Sequence, residues 1–269
     1  MFMQAKNGTV HLADDTMHYI RLGSGSKTLI MLPGLGDGLT TVKGTAFPMA
    51  WMYRTFARNY TVYMFSRRNH LLNGCTTRDM AQDLKAAIDI LDIPNAHLIG
   101  VSMGGMIAQH FAADYPENVD KLVLVVTCAQ PTPILIESIS EWVALAKRDE
   151  HTAFMDSNVR RMYSDAYYRK NRWLIPIISR LTKPRSYNRF FTQADACLTH
   201  CALDRLASIT APTLVIGGEQ DRALGGNASR EIAALISGAK LKMYDEWGHG
   251  LYEEAPDFNQ TILKFLQKG

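Results

Sequence analysis

The pentapeptide Gly100-Val101-Ser102-Met103-Gly104 leaves this chain few folds to choose from. Before it lies an apolar run, Ala96–Val101, that reads as a buried strand. After it, Gly104–Asp114 reads as a helix that must end before Pro116. A serine at that joint sits on a tight strand-to-helix turn. The residues two before and two after it have to be small, because the bend leaves no room for a larger side chain. The turn lifts the hydroxyl out of the sheet. The helix behind it offers free N–H groups and the positive end of its dipole to a developing negative charge.

The rest of the chain supplies the matching alternation of strands and helices. Val10–Leu12 and Met17–Leu22 read as an opening antiparallel pair. Thr28–Leu32, ending in Pro33-Gly34, reads as a buried strand feeding a loop, and Tyr60–Phe65 is the next strand. Thr77–Leu91 has helical spacing through Met80, Leu84, Ala87, Ile88 and Leu91, with Thr76 or Thr77 as N-cap; Thr77 with Met80 does not make a full capping box. Strands Lys121–Val126, Pro212–Ile216 and Lys240–Tyr244 follow, with helices over Gly226–Ile236 and Pro256–Leu266. Such alternation predicts an α/β fold, a mostly parallel central sheet flanked by helices. Between Pro131 and Leu206 the pattern changes to a long helical stretch rich in Trp, Tyr, Met and Arg, with no strand of its own. We read residues 131–206 as a helical cap inserted after the sixth strand, and residues 1–130 and 207–269 as the core.

Composition narrows the class. Of 269 residues, 47% are hydrophobic and 20% charged, and the net charge is +3, with acids and bases mixed along the chain. That bias is too weak to argue for nucleic acid or an anionic membrane. Residues 1–15 lack the apolar segment of a signal peptide, and no stretch reaches the roughly 18 apolar residues of a spanning helix. The expectation is a cytoplasmic protein with no membrane insertion. Cys75, Cys128, Cys197 and Cys201 show no framework spacing and fit a reducing compartment. Cys197 and Cys201 with His200 between them invite a metal reading, but no second ligand pair lies nearby, so they read as part of a helix and no metal is expected.

The strand–Gly100-x-Ser102-x-Gly104–helix unit resembles that of the α/β-hydrolase superfamily, and the resemblance runs along nearly the whole chain. It implies an order of serine, then acid, then histidine. Asp221 in Gly217-Gly218-Glu219-Gln220-Asp221-Arg222, past the strand Pro212–Ile216, matches the acid, with Glu219 as nearest rival. His249 in Trp247-Gly248-His249-Gly250, after the last strand, matches the base. A serine hydroxyl needs such a base to become a nucleophile near neutral pH, and the base needs a carboxylate to hold its tautomer. By the same resemblance the oxyanion hole uses the backbone N–H groups of Met103 and Leu35. This chain departs from relatives at three places. It has Pro33-Gly34 for His-Gly, Ser66-Arg67-Arg68-Asn69-His70 for Asp-x-Arg-Gly-x-Gly, and Ala223-Leu224-Gly225-Gly226 where a proline is usual. The second departure reads as a solvated loop with one arginine in a structural salt bridge, or as an entrance lined by Arg67, Arg68 and His70. The third suggests a more flexible loop beside the acid.

The resemblance implies hydrolysis of a carboxylic ester through an acyl-enzyme, and the aromatic, Met-rich insertion argues for a small apolar acyl or aryl substrate. Cap residues such as Trp142, Met162 and Trp173 are the candidates for its pocket. Alternatives on the same three residues are a carbon–carbon bond hydrolase, a perhydrolase or lyase, and a slow-turnover small-molecule receptor. Dehalogenases and epoxide hydrolases resemble this fold but need an aspartate where this chain has Ser102. No cofactor is expected, and the expected partner is a small-molecule substrate of a monomer or homodimer.

Overall fold

The computed structural model describes residues 4–268. Eight strands, β1 (Ala5–His11), β2 (Thr16–Leu22), β3 (Lys27–Leu32), β4 (Tyr60–Arg68), β5 (Ala96–Val101), β6 (Val119–Val125), β7 (Thr213–Gly218) and β8 (Lys240–Tyr244), form one sheet. Their order is β1-β2-β4-β3-β5-β6-β7-β8. β2 pairs antiparallel with both β1 and β4, and every pairing from β4 to β8 is parallel. All eight strands read in the sequence are present. β4 runs three residues further than predicted, so Ser66, Arg67 and Arg68 are strand rather than loop.

Alternation along the strands divides the core in two. In β3, Ile30 and Leu32 join one apolar cluster with Leu84 and Ile88 of the helix Thr77–Ile90 and Ile107 and Phe111 of the helix Met103–Asp114. Leu29 and Met31 point the other way, into a cluster with Phe56 and with Phe258 and Ile262 of the closing helix Phe258–Gln267. Because both faces are covered, β5 and β7 read as nearly unbroken apolar runs. The helix Thr77–Ile90 does start in a full capping box. Thr76, not Thr77, is the N-cap, and Asp79 is its partner.

The strand order reverses around β3. The chain leaves β3 for β4 on one side and later returns to β5 on the other. A ligand crevice forms beyond the carboxyl ends of strands at such a switch point. Here those ends carry Pro33-Gly34-Leu35 and Ser102, because Leu32 of β3 is in register with Gly100 of β5.

Between β6 and β7 the chain forms the helices Pro133–Lys147, His151–Met162, Asp165–Asn171, Ile175–Thr182 and Asn188–Leu198, and the short Leu203–Leu206. Thr132 starts the series, its side chain accepting from Leu135 N, with Pro133 in the first turn.

Candidate active site

Ser102 has φ 53° and ψ −121°, a strained conformation for a residue with a side chain. The flanking glycines make it possible. A Cβ on Gly104 would lie 2.0 Å from the carbonyl oxygen of Leu32, and one on Gly100 would lie 2.5 Å from that of Gly104. The serine is anchored on its other side by its own N–H, which donates to Val125 O at 2.9 Å.

The loops after β7 and β8 bring the other two residues to it. His249 Nε2 lies 3.0 Å from Ser102 Oγ, and His249 Nδ1 lies 2.8 Å from Asp221 Oδ2. Asp221 and His249 are both buried. The second carboxylate oxygen, Asp221 Oδ1, accepts from the backbone N–H groups of Ala223 at 2.8 Å and Leu224 at 3.0 Å. The loop expected to be more flexible is therefore the clamp on the acid. Ala223 and Leu224 are buried, and Leu224 O accepts from Thr132 Oγ1. This arrangement can move a proton from Ser102 Oγ to His249 Nε2 while the carboxylate holds the ring and faces the charge that develops on it.

Leu35 and Met103 each open a helical segment, so neither N–H has an intrahelical acceptor, and neither donates elsewhere among the described residues. A Cβ on Gly34 would sit 3.8 Å from Ser102 Oγ, which puts the Gly34-Leu35 peptide beside the hydroxyl. Arg67 holds this loop from behind. Its Nη2 donates to Pro33 O at 2.5 Å, and its backbone N–H donates to Asp37 Oδ2 at 3.1 Å. Arg189 Nη2 reaches the same Asp37 oxygen at 3.0 Å, and its Nη1 reaches Asp37 O at 2.7 Å. Asp37 is thus a buried anchor between two arginines.

Of the suggested entrance residues, Arg67 is buried. Arg68 pairs with Asp83 and Asp14, and exposed His70 pairs with Asp15. None of the three lines the cavity at Ser102. The first two lie at the end of β4, paired with β2, so the segment is not a loop there, but the structural ion pair of that reading is present, Arg67 with Asp37 and Arg68 with Asp83.

A cavity of about 550 Å³ opens at Ser102 and His249. Its walls are mostly apolar, from Met31, Met64, Ile99 and Phe258 of the core to Trp142, Phe154, Met155 and Phe190 of the helical insertion. Trp142 and Met162 line it, as the sequence suggested. Trp173 does not: it is 67% exposed, on the outer side of the insertion. Among the described residues no lysine or arginine lines the cavity, but Glu253 does. Burial pushes the Glu253 carboxyl up, against the hydrogen bond it accepts from Tyr163 Oη at 2.9 Å. Sequence reasoning missed Glu253, Asp37 and Arg189. Only the spacing of Glu253, one helical turn past His249, offered a signal.

At the suggested metal positions, Cys197 is buried and Cys201 exposed. His200 Nδ1 lies 2.8 Å from Thr77 Oγ1, and its ring meets His110 edge-on at 5.2 Å. Among the described residues, no three His, Cys, Asp or Glu side chains converge as a metal site needs.

Residues 27–256 match the family described as alpha/beta hydrolase fold. The chain belongs to that family. Among curated relatives, it is similar to a 2-hydroxy-6-oxononadienedioate/2-hydroxy-6-oxononatrienedioate hydrolase of Paraburkholderia xenovorans, 28% identical over 98% of this chain and 94% of that one. A protein of the same name from Klebsiella pneumoniae is 27% identical over 94% and 91%. Among solved structures, MGS-M2, an alpha/beta hydrolase enzyme from a Medee basin deep-sea metagenome library, superposes with a TM-score of 0.85 at 21% identity, covering 97% of this chain and 98% of that one. Family and relatives together make this α/β hydrolase chain a hydrolytic enzyme.

Proposed function

We propose that this hydrolase attacks a carbonyl carbon with Ser102, using His249 as general base and Asp221 to orient it, and that the bond broken is carbon–carbon. The observation that carries the first half is the pair of contacts at 3.0 and 2.8 Å that link Ser102, His249 and Asp221 at the edge of the cavity. The second half is supported by the relatives. A 2-hydroxy-6-oxononadienedioate has a ketone and two carboxylates but no ester, so hydrolysis at its ketone breaks a carbon–carbon bond.

In this reading Ser102 Oγ adds to the ketone as its proton passes to His249 Nε2. The N–H groups of Leu35 and Met103 receive the oxyanion. Collapse expels a carbanion, so the substrate must offer an electron sink, a second carbonyl conjugated to the departing carbon. His249 returns the proton to that fragment. Water, deprotonated by the same histidine, then releases the acyl group from Ser102 as a carboxylic acid.

The substrate differs in charge from a dioate. With Glu253 in the wall and, among the described residues, no lysine or arginine facing the cavity, a dianion would be desolvated without a partner. An uncharged, apolar 1,3-diketone or its vinylogue suits these walls. Segment 131–206 serves as the cap, since Trp142, Phe154, Met155, Met162 and Phe190 supply the wall opposite the core.

An apolar carboxylic ester is the second reading, favoured by the same uncharged walls. An alkoxide leaves without an electron sink, so the cavity suits an ester equally. The test is kcat/KM on a neutral vinylogous diketone and on p-nitrophenyl esters of matched size. Diketone cleavage lost in Ser102→Ala supports the first reading. Ester turnover with no diketone cleavage leaves the second.

A further inference from the structure

On the outside of the helical insertion, Trp173, Ile177 and Leu181 are 67%, 52% and 81% exposed. They are spaced four residues apart along the continuous helical run formed by Arg172–Leu174 and Ile175–Thr182, so they stand on one face. Ile178 beside them is 40% exposed. The opposite face is committed. Ile175 and Ser179 are buried, and Ser179 Oγ meets Thr152 Oγ1 of the helix His151–Met162 at 2.9 Å. That helix in turn gives Phe154, Met155 and Met162 to the cavity wall. The exposed stripe is therefore the outermost layer over the Ser102 cavity.

Charge says what covers it. Between Asp165 and Asp195 the chain has no Asp or Glu and seven Lys or Arg. Lys183 pairs with Asp149 and Arg189 with Asp37. The other five, Arg169, Lys170, Arg172, Arg180 and Arg185, are exposed and make no ion pair among the described residues. A net charge of +3 for the whole chain hides this local excess. A second copy of the same face would set unpaired cations against unpaired cations. An apolar stripe rimmed by cations is instead complementary to a lipid surface, where the apolar side chains enter the acyl boundary and the cations meet phosphate headgroups.

We infer that Trp173, Ile177 and Leu181, with the cations around them, dock this hydrolase on the surface of a bilayer rich in anionic phospholipid. The mode is peripheral; among the described residues no helix is long and apolar enough to cross a membrane. Docking there would bring the cavity to the phase where apolar carbonyl compounds collect, although the inference stands on the surface alone and not on the reaction assigned to Ser102.

The test is flotation of the full chain with phosphatidylglycerol–phosphatidylcholine vesicles and with phosphatidylcholine vesicles, at low and high salt. The expected result is binding to the anionic vesicles that weakens with salt. Ile177→Glu/Leu181→Glu and Arg172→Glu/Arg180→Glu should each cut it by about tenfold or more. Both double variants change only exposed side chains, so labelling of Ser102 by a fluorophosphonate should continue at the wild-type rate and serves as the fold control. No flotation at low salt, or flotation unchanged in both variants, overturns the inference. So does a dimer, seen by light scattering, that Ile177→Glu/Leu181→Glu dissociates while vesicles bind neither form.

Discussion

Arg67 Nη2 donates to the carbonyl oxygen of Pro33 at 2.5 Å, so a buried guanidinium sets the loop whose next peptides reach Ser102. This chain has Pro33 before Gly34, and the proline has no backbone N–H with which to fix the loop. Arg67 fixes it through the proline's oxygen instead. Arg67→Met should therefore displace the Leu35 N–H and lower kcat by up to about 10²-fold, the order seen for loss of one oxyanion donor, with KM little changed. Steady-state kinetics on any turned-over substrate checks this. A raised KM with unaltered kcat would mean that Arg67 contacts substrate rather than the loop.

Much of the candidate site was legible in the sequence because it is written in local motifs. The serine turn, the acid after β7 and the histidine after β8 each sit at a strand end that apolar patterning reveals. Arg67 was not legible. Its neighbours Ser66 and Arg68 are polar, so the apolar signal of β4 stops at Phe65, and only pairing with β2 and the buried charge of Asp37 carry the strand on. Trp173 misled for a related reason. Its aromatic ring suggests a pocket wall, but which face of a helix turns inward is decided by its neighbours, here Ile175 and Ser179. The residues after Asp221 read as loose because the usual proline is absent, yet two of their N–H groups serve the carboxylate.

Asp221→Asn should reduce kcat by roughly 10⁴-fold, because an amide cannot hold the histidine in the right tautomer or stabilise its charged form. The fold should persist, since the side chain is isosteric; far-ultraviolet circular dichroism controls for that. Activity within tenfold of wild type would transfer the role to another acid, with Glu219 tested next.

Burial, reinforced by His110, lowers the pKa of His200 from 6.5 to about 3. The unfolded chain takes up a proton at this histidine that the folded chain refuses. Its contribution to stability is therefore complete above about pH 6.5 and is lost as pH falls from there toward about 3, at up to about 1.4 kcal/mol per pH unit. Urea unfolding midpoints should fall across that window, and His200→Gln should flatten the decline. Identical pH slopes in the two proteins would contradict the assignment.

Trp142→Ala and Met162→Ala should each change which substrate sizes are preferred while leaving the rate of Ser102 labelling within about threefold, since both side chains line the cavity without touching the proton path. Trp142 Nε1 also donates to Ser157 Oγ at 3.2 Å, so its variant should lose stability, by about 3–5 kcal/mol for a buried tryptophan. Trp173→Ala should leave the size profile unaltered. A Trp173→Ala profile as shifted as the other two would return that residue to the pocket.

The nucleophile is tested most directly by mapping where a fluorophosphonate attaches, by peptide mass spectrometry of the labelled protein. One adduct on Ser102 is expected. It should be absent in Ser102→Ala, which should also lose turnover by about a million-fold. Attachment at a different serine, or full turnover in Ser102→Ala, would contradict the account.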